Sequence, residues 1–544
     1  MSITSRQTTE VNRSVVIENY KHQAIELDSS IIIDITIHES LNDNVMHGEV
    51  TILDVGGFEE RIPIIGQERL EIRYATKASD APTIIKKFVV YNMSPKITED
   101  KKQAYILFFV SEEYIANLKY KVSRSYKAKF AGEIVPDIYE SFIETNVMYP
   151  KPLFGVGDDN VDKSALPLHL VMGMFRPFEC INLVAKRSVS ARKGRIGSKF
   201  LFYEDKNGFH FRSLESLMAP KSGQNDLDTT VENKQIQISA IGDPELEEDP
   251  IMDKYVLIPA NALSDFGVYN KSFQEQIIST FKFESTFNVI ANIVGGMYNS
   301  RLLTYDPITM RVGALDNEGA KATQTNSDSH TRLSTVSSKS YVLDYLDRFN
   351  QFTNINDEGH PLINRDHFAY GNPDACYKFV STNFERDRRK QVKILSQQIG
   401  EEVNTNLQTE RWLLPNLSRN RQTKNIVLTI RVAGNHNRTI GDLVHIDLPS
   451  LYFEGETHTY YTGTYLVSEL SHKIIGEQYY MDIKLIKDNL TLQLAEPEVI
   501  REPGALTGDL TSSHLSAIPG GGGSVVSPEY NTSSKNGIQT SITS

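Results

Sequence analysis

Asp158, Asn160 and Asp162 stand at alternate positions, the spacing with which a calcium loop presents its first oxygens to the ion. Such a loop needs a sharply turning residue, normally Gly, at its sixth position and a bidentate Glu at its twelfth. Here those positions hold Lys163 and His169, so the stretch reads as a solvated acidic turn. Ser190-Ala-Arg-Lys193 has the Ser-x-x-Lys spacing of acyl-transfer enzymes, but Gly194 follows at once and no Lys-Thr-Gly partner exists. Residues 185–199 carry six Lys or Arg and no acid. They lack the interleaved aromatics or Gly-rich helix start of a phosphate site and read as an exposed loop, with contact to an acidic neighbour subunit as the alternative. His436, His445, His458 and His472 crowd one region without the short spacings that zinc requires. His436 falls in a turn, and His445 lies on the face opposite Val444 and Ile446. No nucleotide-binding glycine motif and no Gly-x-Ser-x-Gly elbow occurs, and nothing selects a carboxylate pair from 69 acids. No residue stands out as catalytic, metal-binding or cofactor-binding, and no enzyme is expected.

The elements that would hold any site are mainly strands. From Ser29 the text alternates, with Ile31, Ile33, Ile35 and Ile37 on one face and Asp34, Thr36 and His38 on the other. Val45–Leu53, Arg69–Tyr74, Phe88–Met93 and Tyr105–Val110 continue in that manner, with Gly48, Gly56-Gly57 and Gly66 as turns. Residues 15–118 therefore read as one antiparallel β module, and 1–14 as a loose polar lead. Helical spacing appears over Val135–Ile143 and Arg176–Ala185, the latter with Pro177 at a first turn. Phe200–Phe211 reads as a hairpin with a type I′ turn at Asn207-Gly208, making 119–230 an α+β unit. Residues 231–262 return to strand text and group with a second β module at 425–490. Between them, 263–424 form an inserted α+β domain, with helices expected over Phe287–Tyr298, Tyr341–Phe349 and Asp387–Ile399 and an extended Arg301–Tyr305. Its 306–340 stretch has no aromatic residue and reads as a long polar loop. Of the 41 residues 504–544, 21 are Gly, Ser or Thr, so 491–544 is expected to be a flexible tail.

Two stretches repeat. Phe88–Ile97 returns as Tyr465–Ile474, with Val90/Val467, Ser94/Ser471, Lys96/Lys473 and Ile97/Ile474 identical. Each copy follows an Ile-Gly turn and a strand (Ile65-Gly66 then Leu70–Ile72; Ile440-Gly441 then Val444–Ile446) and precedes another alternating strand. A small β module present twice points to a periodic assembly before it points to chemistry. The paired lysines Lys96 and Lys473 are either edge charges that block strand addition or contacts for an acidic groove on an adjacent module.

A chain of 544 residues holds about three or four domains, and 40% apolar residues supply real cores. Its net charge of −12 argues against a general nucleic-acid binder. Cys180 and Cys376 make no disulfide framework or metal spacing and read as free buried thiols in a reducing compartment. The start Met1-Ser-Ile-Thr-Ser lacks an apolar signal core, and no apolar run is long enough for a membrane span, so a soluble protein made in a cytoplasm is expected.

The run Ile31-Ile-Ile-Asp-Ile-Thr-Ile-His-Glu-Ser-Leu41, leading into Gly48-Glu-Val-Thr-Ile-Leu-Asp54, resembles the first tube-like domain of the central baseplate hub of contractile-tailed bacteriophages of the T-even type. Arg176-Pro-Phe-Glu-Cys-Ile-Asn-Leu183 with the Phe200–Phe209 hairpin is similar to the domain that follows it, and Gly296–Thr309 and Tyr465–Ile474 also fit. The resemblance covers about residues 15–490. It implies two tail-tube-like antiparallel β modules with α+β insertions, in a mainly β, multidomain chain. It further implies a homotrimer whose six modules ring a channel, joining tail tube proteins above to a central spike protein below, with baseplate wedge proteins as further contacts. DNA would pass through without specific binding, and the protein would belong to the virion tail. Two other functions compete: a tail-associated cell-wall hydrolase, and a receptor- or carbohydrate-binding tail protein using Tyr452, Phe453, Tyr460 and Tyr461, which more simply pack a module or interface.

Overall fold

The computed structural model describes most of residues 9–218 and 423–487 and, between them, 253–256, parts of 278–312, 376–381 and a few positions of 413–421. In chain order the first strands are β1 (Thr9–Glu18), β2 (Ala24–Leu27), β3 (Ile32–Ser40), β4 (His47–Asp54), β5 (Arg69–Thr76), β6 (Ile84–Met93), β7 (Ile97–Glu99) and β8 (Lys102–Val110). Next come α1 (Glu112–Lys119), β9 (Val122–Lys129), α2 (Ala131–Phe142), β10 (Leu153–Phe154), β11 (Leu168–Phe175), α3 (Pro177–Arg187), β12 (Phe200–Glu204), β13 (Phe209–Ser213) and α4 (Leu214–Leu217). Then follow β14 (Asp253–Val256), β15 (Thr280–Thr286), α5 (Val289–Val294), β16 (Ser300–Asp306), β17 (Arg311–Val312) and β18 (Cys376–Ser381). The last are β19 (Ile426–Ala433), β20 (Leu443–Asp447), β21 (Gly463–Ile475) and β22 (Gln478–Lys487). The fold is mainly β, as the period-2 text requires, with one large sheet of 14 strands.

That sheet closes on itself. Strands β3, β4, β8, β6, β5, β1, β22 and β21 each pair with the next, and β21 pairs back onto β3. An eight-stranded ring is just wide enough for its interior to be filled by side chains. Val15, Ile35, Val50, Ile72, Phe88, Phe109, Leu470 and Met481 from successive strands are all buried in the one core. The closing strands come from the far end of the chain, which explains why residues from Thr9 onward form a strand instead of a loose lead. β1 finds partners on both sides, β5 along its length and β22 at Thr9 and Glu10.

The repeat read in the sequence is a repeat in topology. Strands β3-β4-β8-β6-β5 lie in the same antiparallel order as β15-β19-β22-β21-β20. Phe109 lies opposite Gly48 and Val90; Leu485 lies opposite Leu428 and Val467. Both copies bulge at the same place, between Val90 and Asn92 and between Val467 and Glu469. The Ile-Gly turns match as well. Gly66 and Gly441 have φ of 87° and 82°, a left-handed backbone that glycine adopts without strain. Glu68 accepts the Ile65 and Gly66 N–H groups, as Asp442 accepts that of Thr439.

Three local readings change. A bulge between Ile32 and Asp34 flips the strand by one residue, so Ile32, Ile35 and Ile37 are buried while Ile33 faces out. Gly48 is a strand residue, not a turn: a Cβ there would sit 2.1 Å from Thr36 O and 2.6 Å from Phe109 Cζ. The β12–β13 hairpin is confirmed, but its loop spans 205–208, with Asp205 Oδ1 accepting from Asn207 N and Gly208 N, and Asn207 keeps a negative φ. An Asx turn replaces the type I′ turn.

The second core belongs to the α+β text. α2 and α3 pack with β9, β11, β12 and β13 through Ile134, Ile138, Ile181, Val184, Phe202 and Phe209. Both helices are entered through a carboxylate: Glu133 accepts from Phe130 N and Glu179 from Arg176 N, each at 2.9 Å. Pro177 occupies the first turn, where its missing N–H costs nothing. Residues 300–306 are extended as expected and pair in parallel with β18; of the helix expected at 287–298, the described residues show Val289–Val294, and 295–298 lie outside them. The helices expected at 341–349 and 387–399, most of the 306–340 loop and the 491–544 tail lie outside the described residues.

Candidate functional site: the seam between the repeated β units

One edge of the first β unit is sewn onto the second. β3 pairs antiparallel with the end half of β21, from Asp34 opposite Ile475 to Ser40 opposite Glu469. The pairing is extended by Leu41 N donating to Ser468 O (2.9 Å) and Gly476 N to Ile33 O (3.2 Å). The first half of β21 pairs instead with β20, so this long strand belongs to both units. The Arg13 guanidinium bridges the seam by donating to Ile33 O and Ile474 O, each at 3.4 Å.

Charges are buried just inside this seam. Glu39 of β3 accepts from Lys86 Nζ of β6 at 2.7 Å, with side-chain exposures of 0% and 8%. Its Oε1 also faces His472 Nε2 of β21 at 3.4 Å, and its Oε2 accepts from Thr439 Oγ1 at 3.3 Å. His472 Nδ1 meets the Tyr479 hydroxyl at 2.7 Å, so a neutral ring donating from Nε2 and accepting at Nδ1 satisfies both neighbours. Burial pushes the Glu39 carboxyl up, but Lys86 and the His472 hydrogen bond outweigh it and hold it at about 2. Burial lowers Lys86 too, and the Glu39 charge more than reverses that. His472 is depressed, chiefly by burial, so Lys86 is the cation of the pair. At the rim, His38 Nδ1 contacts Ser471 Oγ at 2.8 Å and its ring lies 5.3 Å from that of His47. Burial, then His47, Lys473 and His472, push His38 down to about 4.

A second joint ties the α+β unit to the first β unit. Glu204, at the end of β12, accepts from Met46 N (2.8 Å), Ser111 Oγ (2.9 Å) and Lys151 Nζ. Lys151 Nζ also reaches Glu113 Oε2 at 3.5 Å. Burial, with Glu204 nearby, raises the Glu113 carboxyl. These contacts tie the α+β unit to the first β unit.

The sequence candidates scatter. Asp158–Asp162 lies outside the described residues; His169 sits in β11. Ser190 is buried in an isolated bridge to Ser164, and 191–198 are outside the description. His445 lies on the face opposite the buried Val444 and Ile446 but is only 19% exposed and is held by Asp447 Oδ1 at 3.0 Å; His458 packs on Tyr461, rings 4.9 Å apart. Of the four histidines, only His472 joins the buried network. Among the described residues, no three His, Cys, Asp or Glu side chains are gathered as a metal would require. Cys180 is a free buried thiol. Tyr461 packs against Phe283, with ring centroids 5.0 Å apart, while Tyr452, Phe453 and Tyr460 lie outside the described residues.

The Lys96/Lys473 pair is corrected. Equivalence holds through Ser94 and Ser471, then slips by one at Pro95, so Ile97 lies opposite Ala104 where Lys473 lies opposite Tyr480. Lys473 is inside a strand and bound at 2.9 Å to Asp482, which Arg431 also clamps with two hydrogen bonds. The two lysines do not occupy equivalent positions.

Sequence reasoning missed Glu39 and Lys86. A signal was present: each occupies the inward phase of its strand, Glu39 in line with Ile35 and Ile37, Lys86 with Phe88 and Val90. An opposite-charge pair on two inward faces is what a buried ion pair requires.

No family model matches the chain, and no curated protein matches it in sequence. Among solved structures, it is similar to a tail protein from Neisseria meningitidis MC58 (TM-score 0.43, 7% identity, 88% of this chain and 97% of that one). It is likewise similar to the 43 kDa tail protein of prophage MuSo2 from Shewanella oneidensis (TM-score 0.43, 8% identity, 88% and 100% covered). A Francisella PdpA–VgrG complex aligns at TM-score 0.40 and 10% identity, over 90% of this chain and 54% of that one. At these values the likeness transfers no residue role and no partner.

Proposed function

We propose that this chain is a structural adaptor, the central hub of a phage tail baseplate, acting as a homotrimer. One observation carries the reading: a five-stranded unit is built twice, with matching order, register and bulge. A three-fold particle can meet a six-fold tube if each protomer presents two near-equivalent faces. In this reading residues 15–118 are one tube-like module, and 231–262 with 425–490 the other, to which the inserted stretch lends its edge strand β15 (Thr280–Thr286). The α+β unit 119–230, the inserted 263–424 and the 491–544 tail serve contacts with spike and wedge proteins. The protein works in the virion tail and carries no catalytic site.

The closed β ring is filled with side chains, so it is not itself a pore. A DNA path would run between modules of different copies, and the net charge of −12 suits a passage along which DNA slides without sticking. Mass measurement of the purified full chain, followed by two-dimensional image averaging, tests the reading. Trimers with six similar lobes around a hole are expected; a monomer overturns it.

A further inference from the structure

The two β units differ in what covers them. Within the chain, the bulge face of the second unit is covered by β3, whose end reaches Ser468. Ser468 there is 5% exposed, and Ile440, in the turn whose Gly441 lies beside Tyr203 and Leu217, is 2% exposed. At the matching positions of the first unit, Ile65 and Tyr91 are 61% and 52% exposed, with Ile97 also open nearby. β5 pairs with β6 only as far as Val89, so the following edge of β6 and β7 has no strand beside it among the described residues.

The matching donor is open too. β15 occupies in the second unit the place of β3 in the first: Phe281 lies opposite Ile430 as Ile35 lies opposite Val50. β3 is covered by β21 and Ile35 is 0% exposed, whereas β15 ends the sheet path and Phe281 is 43% exposed. Among the described residues, one chain thus holds an uncovered strand edge and an uncovered receiving face, whose equivalents are already mated to each other inside the same chain.

We propose that β15 of a second copy adds antiparallel to the open edge running from Asn92 through β7, repeating between chains the β3–β21 seam seen within one. The occupant is a second copy because the only demonstrated fit for this kind of face, among the described residues, is the chain's own edge strand. The contact is head-to-tail, so it continues from copy to copy and needs a rotation that closes after three chains. The inference rests on the trimer reading and names its interface. Edge strands bearing apolar residues are the surfaces that strand addition seals.

By the seam's register Glu39 pairs with Leu470, and the equivalent pair between copies is Thr286 with Met93. The test is Met93→Cys combined with Thr286→Cys in the full chain, oxidised and run without reductant beside each single variant. Covalent dimers and trimers in the double variant alone are expected. A trimer in solution whose double variant gives no cross-link overturns this interface and leaves the trimer reading standing; a monomeric chain overturns both. Tyr91→Glu provides a second measurement, since the side chain is exposed in the single chain. Self-association at least tenfold weaker with unchanged circular dichroism is expected, and unchanged self-association overturns the proposal.

Discussion

Replacing Lys86 by Met removes the cation that faces Glu39 at 2.7 Å and leaves a carboxylate with no side-chain exposure. Losing one member of a buried ion pair costs about 3–5 kcal/mol, because the remaining charge is neither solvated nor compensated. In the native protein Glu39 sits at about 2 against an ordinary value of 4.5. With about 1.4 kcal/mol per pKa unit, that depression is worth about 3 kcal/mol, present above pH 4.5 and lost as pH falls toward 2. In Lys86→Met only His472 is left to oppose burial, so the folded carboxyl is expected to rise past its ordinary value and the dependence to reverse. The variant gains stability as the pH is lowered through that raised value. Urea unfolding followed across pH 4–8, with amide exchange reporting on β3 and β21, measures both the loss and its sign. Glu39→Leu with Lys86→Met removes both charges and is expected to recover most of the loss. A single-variant loss below about 1 kcal/mol, or a double variant no better than the single, would refute the argument that this pair carries the seam.

Three further outcomes follow from the geometry. His38 is held at about 4 against 6.5, facing His47 from β4, Lys473 and His472 from β21, and Asp43, so it favours the fold fully above pH 6.5 and loses that contribution as pH falls to 4. Discounted for its partial exposure, His38→Gln should remove about 1–2 kcal/mol of the acid-induced loss over that window, measured by unfolding at pH 7 and 4.5. Lys151→Met strands Glu204 at the second joint; a loss of about 3 kcal/mol, with raised amide exchange in β12, is expected. Gly66→Ala meets no close atom but must hold φ near 87°, so a cost of about 1–2 kcal/mol in thermal unfolding isolates backbone strain.

How far the sequence could be read depends on the range of the interaction involved. Alternation along Arg69–Tyr74 and Tyr105–Val110, the Pro177 helix start and the Ile-Gly turns were legible because period, cap and φ are properties of a few neighbouring residues. The repeat of Phe88–Met93 in Tyr465–Leu470 was legible because two copies of one fold need the same inward side chains. A one-residue bulge hid the true face at Ile32–Asp34 and the false match of Lys96 to Lys473, since a single slip reverses every later side chain. Glu39 and Lys86 stand in the inward phase of their strands, yet their meeting depends on a barrel closed by strands from the other end of the chain.

Residue order alone determined a mainly β chain with a duplicated unit, because hydrophobic period and turn chemistry are local. Only the tertiary structure decided that β21 and β22 close the first barrel, that β3 seals the second unit, and that β15 and the β6–β7 edge have no further strand beside them among the described residues. Strand edges are backbone hydrogen-bonding surfaces, and which edges find partners is settled by where distant segments arrive, not by the side chains they carry.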